Sequence, residues 1–418
     1  MRHRIQTQGL AIIVVAVLAG VSLLVERSST AQPTTTRLPG ARAEVDAAQF
    51  PSLQAAMDAI PEDGGVVRLP AGTFEITEPI IVTRGDVLLT GAGTATHIVN
   101  RNEDGKPAII LQHSDGGDVK NDDRLWRIML SNLRVTGNEK SGHGILAVQI
   151  QEVFLQGVTV SEHGGDGIQL DHCYEDPRVS DSLITYNKGV GLNLLGCHDI
   201  VVSSNQFEEN QDALHCLDGF NLCMTGNCID DHLGEGVVIE NTYGSVLSGN
   251  MIEECHGTAV VLDRDCYGIT ISANVIAHNG AGIDLRDAHG CAVSANTLTI
   301  LKTNALRIGP NSGRITVTGN NISNSYVGED TVKRRVDDLA AAGITLDGTS
   351  ELAIVGNSFA SVSPHAVELT DNPSKRIVFS SNVLTDVSSE HSHLKDSVIT
   401  NQLISTPTEQ DNSTKTRQ

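Results

Sequence analysis

The sequence contains few aromatic side chains and few basic ones. Its 418 residues include one Trp, five Tyr and seven Phe, and 29 Lys and Arg stand against 51 Asp and Glu, for a formal net charge of −22. This balance argues against nucleic acid as a partner, because a nucleic-acid-binding surface needs basic groups to neutralise phosphates. It also argues against an anionic membrane surface. An acidic polysaccharide would be repelled unless a cation or local Arg and Lys side chains intervened.

Long hydrophobic runs are also missing, with one exception at the N-terminus. Residues 9–25 are apolar and follow Arg2 and Arg4, which is the pattern of a secretory signal. Small residues at Ser29 and Ala31 match a cleavage site after Ala31. The alternative is an uncleaved membrane anchor, since about 17 residues is the lower limit of a spanning helix. We therefore expect 1–31 to be a signal peptide or anchor, 32–43 to be a linker, and the body to be exported to the periplasm, cell surface or exterior.

The eight Cys residues lack the paired CxxC spacing of a structural metal site. Cys173, Cys197 and Cys266 share one position of a repeat, which favours a ladder of buried thiols. A disulfide between Cys173 and Cys197 is the alternative in an exported chain. Three His residues also recur at one predicted position: His163, His232 and His278. They do not fall on adjacent repeats, which argues against a shared metal.

What the sequence does contain is an internal repeat. A short segment ending in Asn recurs mostly every 22 to 25 residues, at Asn205, Asn227, Asn250, Asn274, Asn296, Asn320, Asn357 and Asn382. Weaker members lie upstream at Asn132, Gly157 and Asp181. Gly, Asn, Asp and Ser interrupt each period, so short strands and tight corners fit better than helices. Such a coil predicts a parallel β-solenoid in which equivalent Asn side chains stack and hydrogen-bond along the axis.

The N-terminal segment predicts a cap for this solenoid. Residues 52–60 read as a short amphipathic helix with Ser52 as its N-cap, followed by GGVVRLPAGTFEI at 64–76 and VLLTGAG at 87–93. This stretch resembles the entry to the pectate-lyase-like right-handed β-helix superfamily. The resemblance implies an all-β, right-handed parallel β-helix of about 10–12 coils over 44–385. We further expect polar loops at 112–124 and 326–342, and a flexible polar tail at 386–418.

One candidate site is a column of carboxylates that precede the Gly or Ala of each repeat. Asp166, Asp212 and Glu235 occupy this column, and His215 projects from the coil of Asp212. Asp212 and Glu235 should lie about 5 Å apart on adjacent coils. Such a pair would raise one carboxyl pKa and would suit a general acid with a base or nucleophile. The same pair could hold Ca²⁺, and the alternative is a row of solvated turn residues.

A second candidate site is the polar loop 171–178. Removal of a C5 proton from a sugar needs a base, an acid and a cation that neutralises the sugar carboxylate. In this loop His172 would be the base, Tyr174 the acid and Arg178 the cation. The loop resembles the D-P-H motif of alginate C5-epimerases, with Arg178 in place of the His. The alternative is a surface loop held by Pro177.

Two functional classes follow. The first is an exported enzyme that acts on a polysaccharide by lyase, epimerase or hydrolase chemistry, with Ca²⁺ as the candidate cofactor. The second is a non-catalytic surface solenoid that binds glycans or serves as a scaffold. The low aromatic content favours the second class, because sugar rings usually stack on Trp or Tyr.

Overall fold

The computed structural model describes residues 38–117, 119–323, 341–385 and 387. The predicted signal or anchor at 1–31, most of the linker, the inserted loop at 326–342 except its last two residues and nearly all of the tail lie outside these residues. Within the described ranges, no helix is both long and apolar enough to cross a membrane.

Short strands account for nearly all of the regular secondary structure in the described chain, with one α-helix, α1 (Leu53–Asp58), and three 3₁₀ turns at Ala47–Gln49, Gly93–Ala95 and Asn121–Asp123. The strands, in chain order, are β1 Ala43–Asp46, β2 Gly65–Arg68, β3 Gly72–Ile76, β4 Ile80–Val82, β5 Val87–Thr90, β6 Thr96–Asn100, β7 Ile109–Leu111, β8 Trp126–Thr136, β9 Ile145–Val148, β10 Gln151–Ser161, β11 Ile168–Asp171, β12 Arg178–Ser180, β13 Leu183–Thr185, β14 Val190–Leu195, β15 Val201–Ser203, β16 Gln206–Glu208, β17 Asp212–Leu217, β18 Cys223–Thr225, β19 Cys228–Asp230, β20 Val237–Glu240, β21 Val246–Ser248, β22 Met251–Glu253, β23 Thr258–Asp263, β24 Cys266–Tyr267, β25 Thr270–Ser272, β26 Val275–Ala277, β27 Ala281–Leu285, β28 Ala288–His289, β29 Ala292–Ser294, β30 Thr297–Thr299, β31 Leu306–Ile308, β32 Gly313–Thr318, β33 Asn321–Ser323, β34 Ile344–Leu346, β35 Ser350–Val355, β36 Ser358–Ala360, β37 Val367–Leu369, β38 Lys375–Ser380 and β39 Val383–Thr385.

These strands form parallel ladders in which each strand pairs with the equivalent strand of the next coil. One sheet contains twelve strands in the order β4, β7, β9, β11, β14, β17, β20, β23, β27, β31, β34 and β37. The remaining 27 strands form a larger, bent sheet. Its longest column runs from β1 to β38 through fourteen strands. The all-β parallel solenoid is therefore confirmed, with about fourteen turns instead of ten to twelve, because the N-terminal coils lack the repeat Asn.

The inner face of the coils is apolar, and the predicted Asn ladder lies at one of its corners. From Asn205 to Asn382 each Asn Nδ2 donates to the Oδ1 of the next Asn at 2.9–3.1 Å. Each Oδ1 also accepts the backbone N–H of the preceding Asn, as Asn274 Oδ1 does from Asn250 at 3.0 Å. The amides thus satisfy backbone groups that a buried corner would otherwise leave unpaired.

The upstream members of the repeat lie one residue off this ladder. The backbone N–H of Ser182 donates to Asn205 Oδ1 at 3.1 Å, so Ser182 and not Asp181 continues the column. Asn132, Gly157 and Asp181 instead have φ between 53° and 62° and occupy the left-handed position just before it. Small or polar residues suit that position because they tolerate positive φ.

A second, shorter ladder contains two of the three predicted His residues. The backbone N–H of His163 donates to Asn187 Oδ1 at 3.1 Å, and that of Asn210 donates to His232 Nδ1 at 3.2 Å. His163 and His232 are both fully buried. His278 does not share this column, because the member on its coil is Asn279, which accepts from the backbone N–H of Cys255 at 2.8 Å. The prediction of a common column for all three His residues was therefore wrong.

The N-terminal cap forms as predicted, and the cysteines are free thiols. Ser52 Oγ accepts the backbone N–H of Ala55 at 3.1 Å and begins α1. Gln54 fixes α1 to β4 by accepting the backbone N–H of Ile81 at 2.8 Å.

All eight Cys lie in the described region as free thiols, and six of them are buried. Burial raises the pKa of Cys255 and Cys266 to about 12, so these thiols stay protonated and serve as packing groups.

Candidate functional site

The outer face of the twelve-stranded sheet presents the predicted columns of polar side chains. Because side chains alternate along a strand, Ile168 and Leu170 of β11 point into the core and Gln169 points outward. The register places Gln169 beside Asn193, and Asn193 beside His215. Farther along the same column are Asp284, Arg307 and Thr345.

The three predicted carboxylates share one structural role. In each case one oxygen accepts the backbone N–H at the equivalent position of the next coil: Asp166 from Val190 at 2.8 Å, Asp212 from Glu235 at 2.5 Å, and Glu235 from Thr258 in a very short contact. These bonds hold the amino edge of the sheet together. The second oxygen of each carboxylate faces other side chains.

Asp212 and His215 lie on the same strand, β17, and form the centre of the candidate site. Asp212 Oδ2 lies 3.0 Å from His215 Nε2, and the Asp212 side chain is 15% exposed. Burial raises the pKa of the Asp212 carboxyl, but the hydrogen bonds from His215 and from the Glu235 amide outweigh it, so the net pKa is lowered. Repulsion between two neighbouring acids would have raised the pKa of one carboxyl, whereas the pKa of Asp212 is lowered. The group is a carboxylate at neutral pH and suits a base or nucleophile.

An arginine that the sequence analysis did not select connects Glu235 to the opposite edge of the sheet. Arg286 follows β27, and its guanidinium lies 3.9 Å from Glu235 Oε1, 3.8 Å from Asp263 Oδ2 and 2.8 Å from Asp284 Oδ2. Burial lowers the pKa of Arg286, but these carboxylates outweigh burial and the net pKa is raised. The oxygen of Glu235 that is free of the backbone therefore faces a permanent cation.

Arg307 extends the charged strip along the axis. It lies 3.1 Å from Asp284 Oδ1 and 2.6 Å from Asp347 Oδ2. Thr370 donates to Asp347 Oδ1 at 2.9 Å. We define the outer-face strip by these residues together with the column above: Asp166, Asp212, His215, Glu235, Asp263, Asp284, Arg286, Arg307 and Asp347. Six carboxylates and two guanidinium groups leave the strip net negative.

Asp166 sits at the near end of the strip and is fully engaged by neighbours. Besides Val190, it accepts from Asn193 Nδ2 at 3.0 Å, and its Oδ2 lies 3.5 Å from His143 Nδ1. Asp166 is separated from Asp212 by the coil of β14, so it is not part of the Asp212, His215 and Glu235 group.

The loop 171–178 lies at the other edge of the sheet. Asp171 ends β11, whereas Asp212 begins the six-residue strand β17, so the two edges are about 17 Å apart. His172 Nδ1 makes a short contact with Asp171 Oδ1. The two predicted sites therefore do not form one constellation.

Within this loop the guanidinium beside Tyr174 belongs to Arg124, not to Arg178. The Arg124 Cζ atom lies 4.3 Å from the Tyr174 ring centre, and Arg124 Nη1 donates to the His172 carbonyl at 3.4 Å. Arg178 begins β12 in the larger sheet and lies over the Phe154 ring at 5.3 Å. Arg124 comes from the preceding loop, so only the coil stacking brings it to Tyr174.

Although the sequence has few aromatic residues, the structure brings several of their side chains together with His rings in one row. One ring per coil stacks at the corner that follows the twelve-stranded sheet, and we call this set the corner ladder: Tyr174, His198, Phe220, Tyr243, Tyr267 and His289. Successive ring centres lie 4.3, 4.6, 5.4, 6.5 and 5.9 Å apart. The signal was present in the sequence, because Tyr174, His198 and Tyr267 each directly follow a Cys of the shared Cys position.

Acidic groups suited to a divalent cation occur away from Asp212 and Glu235. Within the described ranges, three sets of side chains place ligand atoms within 4.8 Å of one another: Glu253, Glu254 and His278; Asp265, Asp287 and His289; Asp230, Asp231 and Glu254. The predicted Ca²⁺ pair belongs to none of them, and one oxygen of each acid in that pair already accepts a backbone N–H.

Comparison with solved structures identifies similar folds in bacterial proteins. The mannuronan C-5 epimerase AlgE6 A-module of Azotobacter vinelandii is 19% identical, with a TM-score of 0.60 over 81% of this chain and 99% of that one. The AlgE4 A-module of the same organism is 17% identical, with a TM-score of 0.54 over 82% and 96%. The DFA-IIIase of Arthrobacter chlorophenolicus A6, solved in complex with GF2, is 12% identical, with a TM-score of 0.52 over 75% and 94%. At these identities the likeness concerns the fold.

A comparison with curated protein sequences found no match. The family model described as the right handed beta helix region matches residues 87–242, 176–322 and 258–406, which together cover more than half of the sequence. These matches span the stacked coils that carry the Asn ladder, the outer-face strip and the corner ladder. The chain therefore belongs to the right-handed parallel β-helix family, as the pectate-lyase-like resemblance of its N-terminal segment predicted.

Proposed function

We propose that this protein is an exported carbohydrate-active β-helix that acts on a polysaccharide bound along the outer face of its twelve-stranded sheet. The observation that carries the proposal is the group formed by Asp212, His215, Glu235 and Arg286. Asp212 and Glu235 lie on adjacent coils, and each directs one oxygen toward the outer face. A strip of polar side chains running along the axis suits a linear polymer better than a compact small molecule.

Hydrolysis of an uncharged glycan fits this group best. Asp212 is ionised and can serve as base or nucleophile, with His215 holding its free oxygen. Glu235 is the second carboxyl that glycoside hydrolysis requires. The excess of carboxylates in the strip would repel a uronate polymer, so the charge favours a neutral sugar.

Lyase or epimerase chemistry on a uronate remains the alternative within the enzyme class. The structural neighbours named as mannuronan epimerases support it. Arg286 and Arg307 would not neutralise the carboxylate of a sugar held at the loop 171–178, because they lie at least five coils from it and each is paired with Asp284. The loop with His172 and Tyr174 would then supply base and acid, with Arg124 taking the place predicted for Arg178.

A non-catalytic glycan-binding solenoid is the second candidate. It is favoured by the structural role of the acids, since Asp166, Asp212 and Glu235 all accept a backbone N–H from the next coil. Turn carboxylates that stabilise coil stacking need no catalytic explanation. Binding without turnover would identify this class.

The decisive experiment is a turnover assay on neutral glucans, fructans and uronate polymers, with and without Ca²⁺. New reducing ends report hydrolysis, ultraviolet absorbance of an unsaturated sugar reports lyase activity, and solvent deuterium at C5 reports epimerisation. We expect Asp212→Asn and Glu235→Gln to lower kcat by about 10²- to 10⁴-fold, because both keep the backbone hydrogen bond while removing the charge.

Asp199→Asn is the matched control, since Asp199 is an exposed acid at another corner that accepts from Asn221 at 2.8 Å. It should keep full activity. Full activity in both site variants would show that the site assignment is wrong. Glycan binding by the wild type with no product would favour the non-catalytic class.

Export is part of the same proposal and rests on the apolar run at 9–25 after Arg2 and Arg4. Expression in a bacterial host followed by fractionation and N-terminal sequencing would test it. A mature chain that begins at residue 32 would indicate a cleaved signal, and an intact N-terminus in the membrane fraction would indicate an anchor.

A further inference from the structure

The corner ladder ends abruptly at one coil. Its last ring, His289, pairs in register with Gly313 of the next coil, which carries no side chain. Tyr267 covers one face of the His289 ring at 5.9 Å. At the opposite end of the ladder, Arg124 covers Tyr174 at 4.3 Å. The two ends therefore differ, because a cation closes the first and a glycine leaves the second open.

An open cleft of about 470 Å³ occupies the space beyond His289. Its walls include Tyr267, His289, Gly313, Arg314 and Glu351. A larger residue at position 313 would be crowded, since its Cβ would lie 2.9 Å from the Ser350 carbonyl oxygen. The volume lies within the range of small-molecule binding pockets.

The rim of the cleft is polar and held by ion pairs. Arg314 Nε lies 3.0 Å from Glu351 Oε2, and Arg376 Nη2 lies 2.9 Å from Glu351 Oε1. On the ladder side, Asp287 Oδ1 lies 3.6 Å from His289 Nε2, and Asp265 lines the wall. These groups offer hydrogen-bond donors and acceptors around a flat ring face. Three acids against two arginines leave the rim slightly negative, which favours an uncharged ligand over an anionic one.

The geometry points to a sugar-binding subsite in this cleft, in which the C–H face of an uncharged pyranose or furanose ring stacks on His289 and its hydroxyl groups bond to the rim. A sugar ring is flat on its C–H face and polar at its edge, which is the arrangement that the cleft presents. The inference rests on the proposed function for the class of ligand, and it places the contact outside the outer-face strip.

The cleft is close enough to the strip to hold part of the same polymer. Asp263 of the strip and Asp265 of the cleft are separated by one residue at the end of β23. The middle rings of the ladder differ from His289, because each has a ring neighbour on both sides along the axis. Phe220 lies between His198, which it meets edge-on, and Tyr243, and Tyr243 lies between Phe220 and Tyr267. The subsite is thus confined to the open end.

Equilibrium binding of a neutral glucan oligosaccharide, a neutral fructan oligosaccharide and oligomannuronate would test the inference by calorimetry. The measurements use the full chain with Asp212→Asn, so that the probe is not consumed. We expect at least one neutral probe to bind, and His289→Ala and Arg314→Asn to raise its Kd by about three- to tenfold each. Asn suits position 314 because Arg314 has φ of 56°.

Phe220→Ala is the matched control, because it removes an exposed ladder ring far from the cleft and should leave Kd unchanged. If a neutral probe binds and neither cleft variant changes Kd, the subsite is wrong while the proposed function stands. If no probe binds, both are overturned. Weakened binding in the cleft variants, together with full turnover by Asp212→Asn in otherwise wild-type protein, would support the subsite and overturn only the catalytic assignment.

Discussion

Individual side chains in this solenoid acquire their protonation states from the coils directly before and after them. His163 and His232 replace Asn at buried ladder positions, and burial lowers the pKa of each to about 4 from 6.5. Asp230 lies between Glu208 and Glu253 on adjacent coils. Burial, then Asp231, Glu253 and other nearby acids, raise its pKa to about 6 from 3.8. These shifts make stability depend on pH in opposite senses.

Acid should destabilise the fold through the two buried His residues. Below pH 6.5 the unfolded chain binds a proton at each imidazole, while the folded protein does so only near pH 4. Stability is therefore full above pH 6.5 and falls as the pH drops to about 4, by about 3 kcal/mol for each residue. Urea unfolding of the wild type and of His232→Asn at pH 7 and pH 4 would measure this.

In His232→Asn the new Oδ1 can accept the Asn210 N–H in place of Nδ1, so the variant should lose less stability on acidification. His256→Asn, at an exposed position, is the control. If the free energy of unfolding fell equally between pH 7 and pH 4 in the wild type and in His232→Asn, the His232 imidazole would not be a source of the acid sensitivity.

Asp230 should destabilise the protein at neutral pH. Its folded pKa is raised, so the penalty is absent below about pH 4, grows as the pH rises from about 4 to about 6, and is full above that value. We expect Asp230→Asn to raise the thermal midpoint at pH 7.5 and to leave it unchanged at pH 3.5. Asp199→Asn gives the comparison for the loss of an exposed carboxylate. A gain of equal size at both pH values would contradict the argument.

Strands of three residues are too short to be stable alone, so the elements depend on their ladders. A single three-residue strand contributes few hydrogen bonds to its ladder, and the Asn amides add bonds at the corners where the backbone turns. Asn250, in the middle of its ladder, donates to Asn274 Oδ1 and the Met224 carbonyl and accepts from Asn227. The side chain thus links three consecutive coils.

Removal of one middle amide should be costly. Asn250→Ala loses these bonds and leaves buried backbone groups unpaired, for which we expect a loss of about 3–5 kcal/mol in the free energy of unfolding. Asn121→Ala, at an exposed position in a 3₁₀ turn, should change stability by less than about 0.5 kcal/mol. Chemical denaturation of both variants tests the contrast, and a small effect at Asn250 would mean that the ladder is replaceable by water.

At the scale of the whole molecule, strand pairing joins each coil to the coils next to it and only a few long side chains reach farther in the described ranges, so stability is distributed along one axis. Interior coils have a partner on both sides, and α1 covers the N-terminal end through Gln54. β38 and β39 end their columns among the described strands. An arrangement of this kind loses its ends first.

Hydrogen exchange should therefore rank the coils by position. We expect the slowest amide exchange in β17 to β27 and the fastest in β38 and β39, with mass spectrometry of peptic fragments as the measurement. Ser52→Ala, which removes the N-cap of α1 and costs about 1 kcal/mol, should speed exchange in β2 and β4 more than in β20. Uniform exchange along the axis would indicate a single cooperative unit instead.

Local sequence signals were sufficient for the repeat, the cap and the order of the columns. Asn205 to Asn382 stack as expected, Ser52 caps α1, and Asp212, His215 and Glu235 share neighbouring coils. The upstream members at Asn132, Gly157 and Asp181 were misplaced by one residue, because left-handed corner positions and ladder positions both favour Asn, Asp and Gly. A one-residue shift in a repeat leaves composition almost unchanged.

By itself the sequence determined the winding of this protein, since a period of about two dozen residues with Gly and Asn corners permits little other than stacked short strands. Only the tertiary structure decided what the outward side chains contact. Arg286 reaches Glu235 across three coils, Arg124 covers Tyr174, and Gly313 leaves one face of His289 open. Long side chains cross between coils in ways that spacing does not encode, because their reach exceeds the distance between neighbouring strands.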